Sequence, residues 1–126
     1  MTILGIDWGE AKIGVAISAG KLAEPLAVFT PDSLMSQILK LVNDNSAEKI
    51  IVGISENESE EKAREFGKKL KEIVSIPVEF VDETLSTYEA QYLAVEAGVP
   101  QKKRKEMEDA FAATLILQRY LDELTP

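Results

Sequence analysis

Two apolar runs open the chain. Ile3-Leu4-Gly5-Ile6 and Ile13-Gly14-Val15-Ala16-Ile17 are separated by a polar break containing Gly9-Glu10-Ala11. Such runs, flanking a short glycine-bearing turn, predict two strands over 2–8 and 12–18 joined as a hairpin. Neither run alternates with polar residues, so both are expected inside a sheet covered on each face. Gly9 and Gly14 leave room beside the backbone there. Residues 22–29 predict a third strand. Pro25 has no N–H for a ladder, which assigns this strand to an edge. The short connections favour an antiparallel meander for all three.

The period then changes. Leu34, Ile38, Leu41 and Val42 recur at helical spacing behind the start signal Pro31-Asp32-Ser33, with a polar stop at Asn43-Asp44-Asn45-Ser46. Residues 49–54 form a short apolar run that predicts a buried strand. A polar, acidic loop follows, leading to a helix over 58–74 with Ala63, Phe66, Leu70 and Val74 on its inward stripe. A fifth strand is expected over 77–81. Ser86 and Glu89 stand at capping-box spacing, so another helix is expected to start there and stop at Gly98. A last, broadly apolar helix is expected over 104–122. The order β-β-β-α-β-α-β-α-α describes an α/β fold: a five-stranded mixed sheet, its first three strands antiparallel, flanked by helices. At 126 residues with no repeat or linker, one domain over 1–126 is the expectation.

Composition narrows the chemistry. The chain holds no Cys and no His, which excludes disulfides, thiol nucleophiles, imidazole-ligated zinc and a Ser-His-Asp hydrolase. Carboxylates, hydroxyls, Lys, Arg and backbone are left, and an all-oxygen donor set suits Mg or Mn. With 14 Lys and Arg against 22 Asp and Glu, the net charge is −8, so nucleic acid would need a local basic patch. The concentrated basic run is Lys102-Lys103-Arg104-Lys105, which could grip phosphates or simply be a solvated loop. Lys12, beside the first turn, is a weaker candidate for the same task. No basic leader and no apolar run of membrane-spanning length is present, so a soluble cytoplasmic protein is expected.

Acids recur at comparable places. Asp7 closes the first strand, Asp82 or Glu83 closes the fifth, and Asp109 opens the last helix. In α/β sheets, ligands bind outside the carboxyl ends of parallel strands. Strands one and five therefore present acids on one edge if both run parallel to strand four. Ordinary structural roles exist for each acid: a strand-end Asp, a turn acid, a helix-start acid favoured by the dipole. Against that, Asp109 shares a helix face with Ala112, Ala113 and Ile116. Clustered carboxylates repel unless a divalent cation neutralises them, and paired metal ions can clamp a phosphodiester.

Four segments, in order, resemble the YqgF/RuvX family of pre-16S rRNA nucleases, which is similar to Holliday junction resolvases and has the ribonuclease H-like fold. They are Gly5-Ile6-Asp7-Trp8-Gly9 with Lys12-Ile13-Gly14-Val15-Ala16, then Lys49-Ile50-Ile51-Val52-Gly53-Ile54, then Val81-Asp82-Glu83-Thr84-Leu85-Ser86-Thr87, then Glu108-Asp109-Ala110-Phe111-Ala112-Ala113. The resemblance spans essentially the whole chain. It implies Asp7, Glu83 and Asp109 as catalytic, metal-binding acids, with Asp82 the alternate in the middle position, and Mg2+ or Mn2+ as cofactor. It also implies a cytoplasmic endonuclease acting on structured RNA such as pre-16S rRNA, or on branched DNA, as a monomer or a homodimer.

The chain departs from the family pattern by losing positive charge. Ala11-Lys12 stands for Lys-Arg, Thr84 stands for an Arg, and Ser55-Glu56-Asn57-Glu58-Ser59-Glu60 replaces a glycine-containing turn. These changes motivate a second reading, a non-catalytic nucleic-acid- or protein-binding member acting in ribosome biogenesis or transcription. A third is a phosphotransferase of the actin-like ATPase fold, whose first phosphate motif Ile6-Asp7-Trp8-Gly9 also resembles. That fold generally needs two such domains, and the chain has length for one.

Overall fold

The computed structural model describes residues 1–54, 60–82 and 107–124. The loop 55–59, the expected helix over 86–98 and the basic run 102–105 lie outside them. Five strands are described: β1 (Ile3–Asp7), β2 (Ile13–Ser18), β3 (Glu24–Phe29), β4 (Lys49–Ile54) and β5 (Val78–Asp82). Three helices accompany them: α1 (Pro31–Asn45), α2 (Glu60–Ile73) and α3 (Glu108–Leu124). The strands form one sheet in the order β3-β2-β1-β4-β5. β1–β2 and β2–β3 are antiparallel, whereas β1–β4 and β4–β5 are parallel. This is the mixed sheet expected, with β3 at an edge and Pro25 beside a register shift at Val15/Ala16. None of the described helices is long and apolar enough to cross a membrane.

Both faces of the central strands are covered, which is why their sequences do not alternate. On one face Leu4, Ile6, Val15 and Val52 pack with Leu34 and Ile38 of α1 and Phe66 and Leu70 of α2. On the other, Ile3, Ala16 and Ile51 pack with Ala113, Ile116 and Leu117 of α3. The helical stripes are thus those the spacing indicated.

Element ends differ from the sequence pattern for identifiable reasons. β3 begins at Glu24 rather than 22 because the backbone before it is bonded to α3 instead of to a ladder. The Gln118 side chain accepts from Ala23 N at 2.9 Å and donates to Lys21 O at 3.0 Å. Helix α1 begins at the expected proline, with Thr30 as N-cap accepting from Ser33 N at 3.2 Å. It continues through the polar stop to Asn45, whose side chain donates to Leu41 O at 2.9 Å instead of breaking the helix. Ser46 ends it with a left-handed backbone at φ 52°.

Helix α3 runs from the carboxyl edge of β1 towards the opposite edge and lies close against the sheet. Three glycines on neighbouring strands permit this. A Cβ at Gly5 would lie 2.9 Å from Leu117 Cβ, and one at Gly53 would lie 2.9 Å from Ile116 Cδ1. A Cβ at Gly14 would overlap the Asp109 carbonyl and lie 2.7 Å from Ala110 N. At its far end α3 is fixed by Tyr120. The Tyr120 hydroxyl accepts from Lys49 Nζ at 2.8 Å and donates to Glu79 Oε2 at 3.0 Å, while Lys49 pairs with Glu79 at 3.2 Å.

Candidate active site

Asp7 is the last residue of β1, held in the middle of the sheet between β2 and β4. Its partner across the antiparallel ladder is Gly14, and its partner across the parallel ladder is Gly53. The carboxylate-bearing position is therefore flanked on both sides by positions without side chains. Asp7 is half-buried, as a residue at the mouth of a covered strand should be. Trp8, next in the chain, is half-buried and packs against the α1/α2 core.

Asp109 reaches the same edge from the other direction. It stands in the first turn of α3, where the helix dipole tolerates an acid. The buried face that follows, Ala113, Ile116 and Leu117, presses this turn onto the sheet, while Ala112 is buried in a separate cluster with Phe111. Because the Asp109 backbone rests on Gly14, it lies beside the direct partner of Asp7. Desolvation, and then the neighbouring Glu108, push the Asp109 carboxyl above the usual Asp range, while Lys12 pulls it the other way. Lys12 is exposed on the β1–β2 turn, at the same edge.

The middle acid is placed by its strand. β5 runs parallel to β4, so its carboxyl end opens on the edge that carries Asp7. Position 82 pairs in register with Ile54, and position 81 pairs with Gly53, the partner of Asp7. Of Asp82 only the backbone is described, and Glu83 and the basic residues Lys102, Lys103, Arg104 and Lys105 lie outside the described residues. Among the described residues no group of three acids is close enough to hold a metal ion. The structure thus brings Asp7, Asp109 and Lys12 to one edge and carries the backbone of the fifth strand to it.

The donor chemistry present suits a hard divalent cation. Both described acids offer oxygen, and the desolvated Asp109 is a carboxylate whose ionised form a cation would stabilise. Sequence reasoning passed over Glu108, which adds a second negative charge at the start of α3. Its adjacency to Asp109 was the available signal. It also gave Gly14 only the role of slimming the hairpin, because the partner that fills the space lies at the other end of the chain.

The chain is similar to known proteins over nearly its whole length. The family model described as "RuvX: Holliday junction resolvase" matches residues 1–123. A protein of Dictyoglomus thermophilum carrying the name "Putative pre-16S rRNA nuclease" is 37% identical, covering 97% of this chain and 96% of its own. A protein of the same name from Natranaerobius thermophilus is 40% identical, covering 97% of this chain and 94% of its own. Among solved structures, the fowlpox virus Holliday junction resolvase superposes with a TM-score of 0.67 at 14% identity, covering 98% of this chain and 99% of that one. At that identity the likeness speaks for the fold, which is the ribonuclease H-like fold of the resolvases.

Proposed function

The chain belongs to the RuvX family of Holliday junction resolvases, and from that premise we propose that this nuclease hydrolyses phosphodiester bonds in structured RNA, the 5′ region of pre-16S rRNA first, with Mg2+ or Mn2+. The observation that carries the site is the seating of Asp109 on Gly14, the ladder partner of Asp7. Asp7 and Asp109 hold the metal with one acid from the end of the fifth strand. Counting by twos from Glu79 and Val81 favours Glu83 over Asp82 for that place, since 81 pairs with Gly53 and Gly53 with Asp7. A divalent ion held by these acids would supply charge neutralisation and lower the pKa of a water for attack at the phosphorus. Lys12 and the run Lys102, Lys103, Arg104 and Lys105 hold the substrate's phosphates. The whole of 1–126 works as one cytoplasmic nuclease unit.

The RNA is favoured over branched DNA because the named relatives at 37–40% identity carry a pre-16S rRNA name. The family description supports a four-way DNA junction as the second substrate. Cleavage of a 5′-extended 16S rRNA fragment and of a four-way junction, each in Mn2+, decides between them. Asp7→Asn and Asp109→Asn should each lose cleavage of the true substrate by 100-fold or more, on the order expected for removing an essential metal ligand, while keeping the wild-type circular dichroism spectrum. Binding without cleavage by the wild-type chain in Mg2+ and Mn2+ would instead mark a non-catalytic binding member. Size-exclusion chromatography with light scattering separates monomer from homodimer.

A further inference from the structure

We propose that Gly14 is a positioning residue for the metal site: the absence of a side chain there sets how closely Asp109 approaches Asp7. The inference rests on the reading of Asp7 and Asp109 as metal-binding carboxylates and adds what fixes their spacing. Directly paired antiparallel residues have Cα atoms about 4.5–5.5 Å apart, so the Asp7–Gly14 pairing already places Gly14 one strand from the first acid. On its outer side Gly14 touches the backbone of the second acid. An added Cβ would fall on the Asp109 carbonyl carbon and oxygen, with Ala110 N at 2.7 Å.

The other two glycines under α3 differ in what they meet. A Cβ at Gly53 meets first the far end of a side chain, Ile116 Cδ1, which can turn aside. A Cβ at Gly5 meets Leu117 Cβ, which moves only with the helix but stands two turns beyond Asp109, with the nearest backbone atom, Ala113 O, at 3.5 Å. Only at Gly14 is the obstacle helix backbone, and that backbone belongs to the residue carrying the acid. No rotamer change relieves it, so any side chain at position 14 must push the first turn of α3 outward. Metal sites tolerate ligand displacements of roughly 0.2 Å. A helix whose first turn retreats further than that leaves the carboxylate out of reach.

The test uses the full chain and Mn2+ alone, with affinity read from the electron paramagnetic resonance signal of free Mn2+ and thermal stability read in chelator. Gly14→Ala should weaken Mn2+ about 10–100-fold, the range for loss of a residue that orients a ligand. Gly5→Ala, which presses α3 away from the acids, should lower the melting temperature and leave Mn2+ affinity within twofold. Gly20→Ala, with open space around it, should change neither. Adding Asp109→Glu to Gly14→Ala should recover part of the lost affinity, because a longer acid spans the widened gap. The proposal is overturned if Gly14→Ala binds Mn2+ like wild type, or if Gly5→Ala weakens binding as much. Should Gly14→Ala fail to fold, Asp109→Glu alone decides. With spacing set for an aspartate it weakens Mn2+ about tenfold, again the lower end of that range, and unchanged affinity overturns the proposal. Failure of the underlying reading looks different: Asp7→Asn and Asp109→Asn would then bind Mn2+ like wild type.

Discussion

Lys49 donates to the hydroxyl of Tyr120 at 2.8 Å, joining the first residue of a central strand to the last turns of the final helix. The same hydroxyl donates to Glu79 of the neighbouring strand at 3.0 Å. One phenol oxygen therefore ties α3, β4 and β5 together at the edge opposite the acids. Tyr120→Phe keeps the packed ring and removes both bonds. It should destabilise the fold by about 1–2 kcal/mol, since hydrogen bonds to charged groups contribute more than neutral ones. Urea unfolding of the two proteins measures the difference.

The same cluster gives a pH dependence with a definite sign. Hydrogen bonds from Lys49, then Tyr120, hold the Glu79 carboxyl below its ordinary value of 4.5. The bond to Tyr120, then the one to Glu79, raises the Lys49 ammonium above 10.5. A depressed acid stabilises the fold above its ordinary pKa, and that contribution is lost as pH falls through the folded value. A raised base stabilises below its ordinary pKa, and that contribution is lost as pH rises through the folded value. The stability gap between wild type and Glu79→Gln should be flat from about pH 5 to 10 and shrink outside that window. With Glu79 48% exposed, salt should narrow the gap as well. A gap that widens in acid would contradict the assignment.

Asp109 behaves in the opposite sense. Burial, reinforced by Glu108 and opposed by Lys12, raises its carboxyl pKa, so the ionised form works against the metal-free fold. A raised acid favours folding below its ordinary value of 3.8, and that benefit disappears as pH rises through the folded value. In chelator at pH 7, Asp109→Asn should therefore melt above wild type, and the difference should close as pH falls towards 4. Added Mn2+ should raise the melting temperature of wild type only.

Ser46 supplies a stability gain unconnected to the site. It ends α1 at φ 52°, a left-handed conformation in which a Cβ is strained. Ser46→Gly relieves that strain and should stabilise the protein by roughly 0.5–1 kcal/mol after the entropy cost of glycine in the unfolded chain. Its backbone bonds, the Ser46 N–H to Asn43 O and Ala47 N–H to Val42 O, remain available to glycine. Calorimetric melting gives the answer directly.

Much of this architecture was legible because local pattern and global fold agree. The unbroken apolar runs at Ile3–Asp7 and Ile13–Ser18 announced two-sided burial, and Pro25 announced an edge. Asp7 was visible as an acid closing such a run, and Asp109 as an acid on an apolar face. Contacts set by distant parts of the chain were not legible. Gln118 decides where β3 starts, and Asp109 decides why Gly14 has no side chain, yet neither leaves a mark near the residue it governs. The Lys49–Glu79–Tyr120 cluster is hidden for the same reason: its members lie on two strands and a helix far apart in sequence, and only the sheet order makes them neighbours.

The placement of α3 also sets an order in time. It is the last described helix, yet it packs on one face of β2, β1 and β3 and touches β4, elements built from the first half of the chain. During synthesis the cover that Ala113, Ile116 and Leu117 give to Ile3, Ala16 and Ile51 is absent until residues beyond 113 have left the ribosome. Such sequence-distant pairings form late, after the loop-closure entropy has been overcome. Asp109 arrives with the same helix. On the proposed reading of the site, a nascent chain therefore carries Asp7 before Asp109 has been placed beside it.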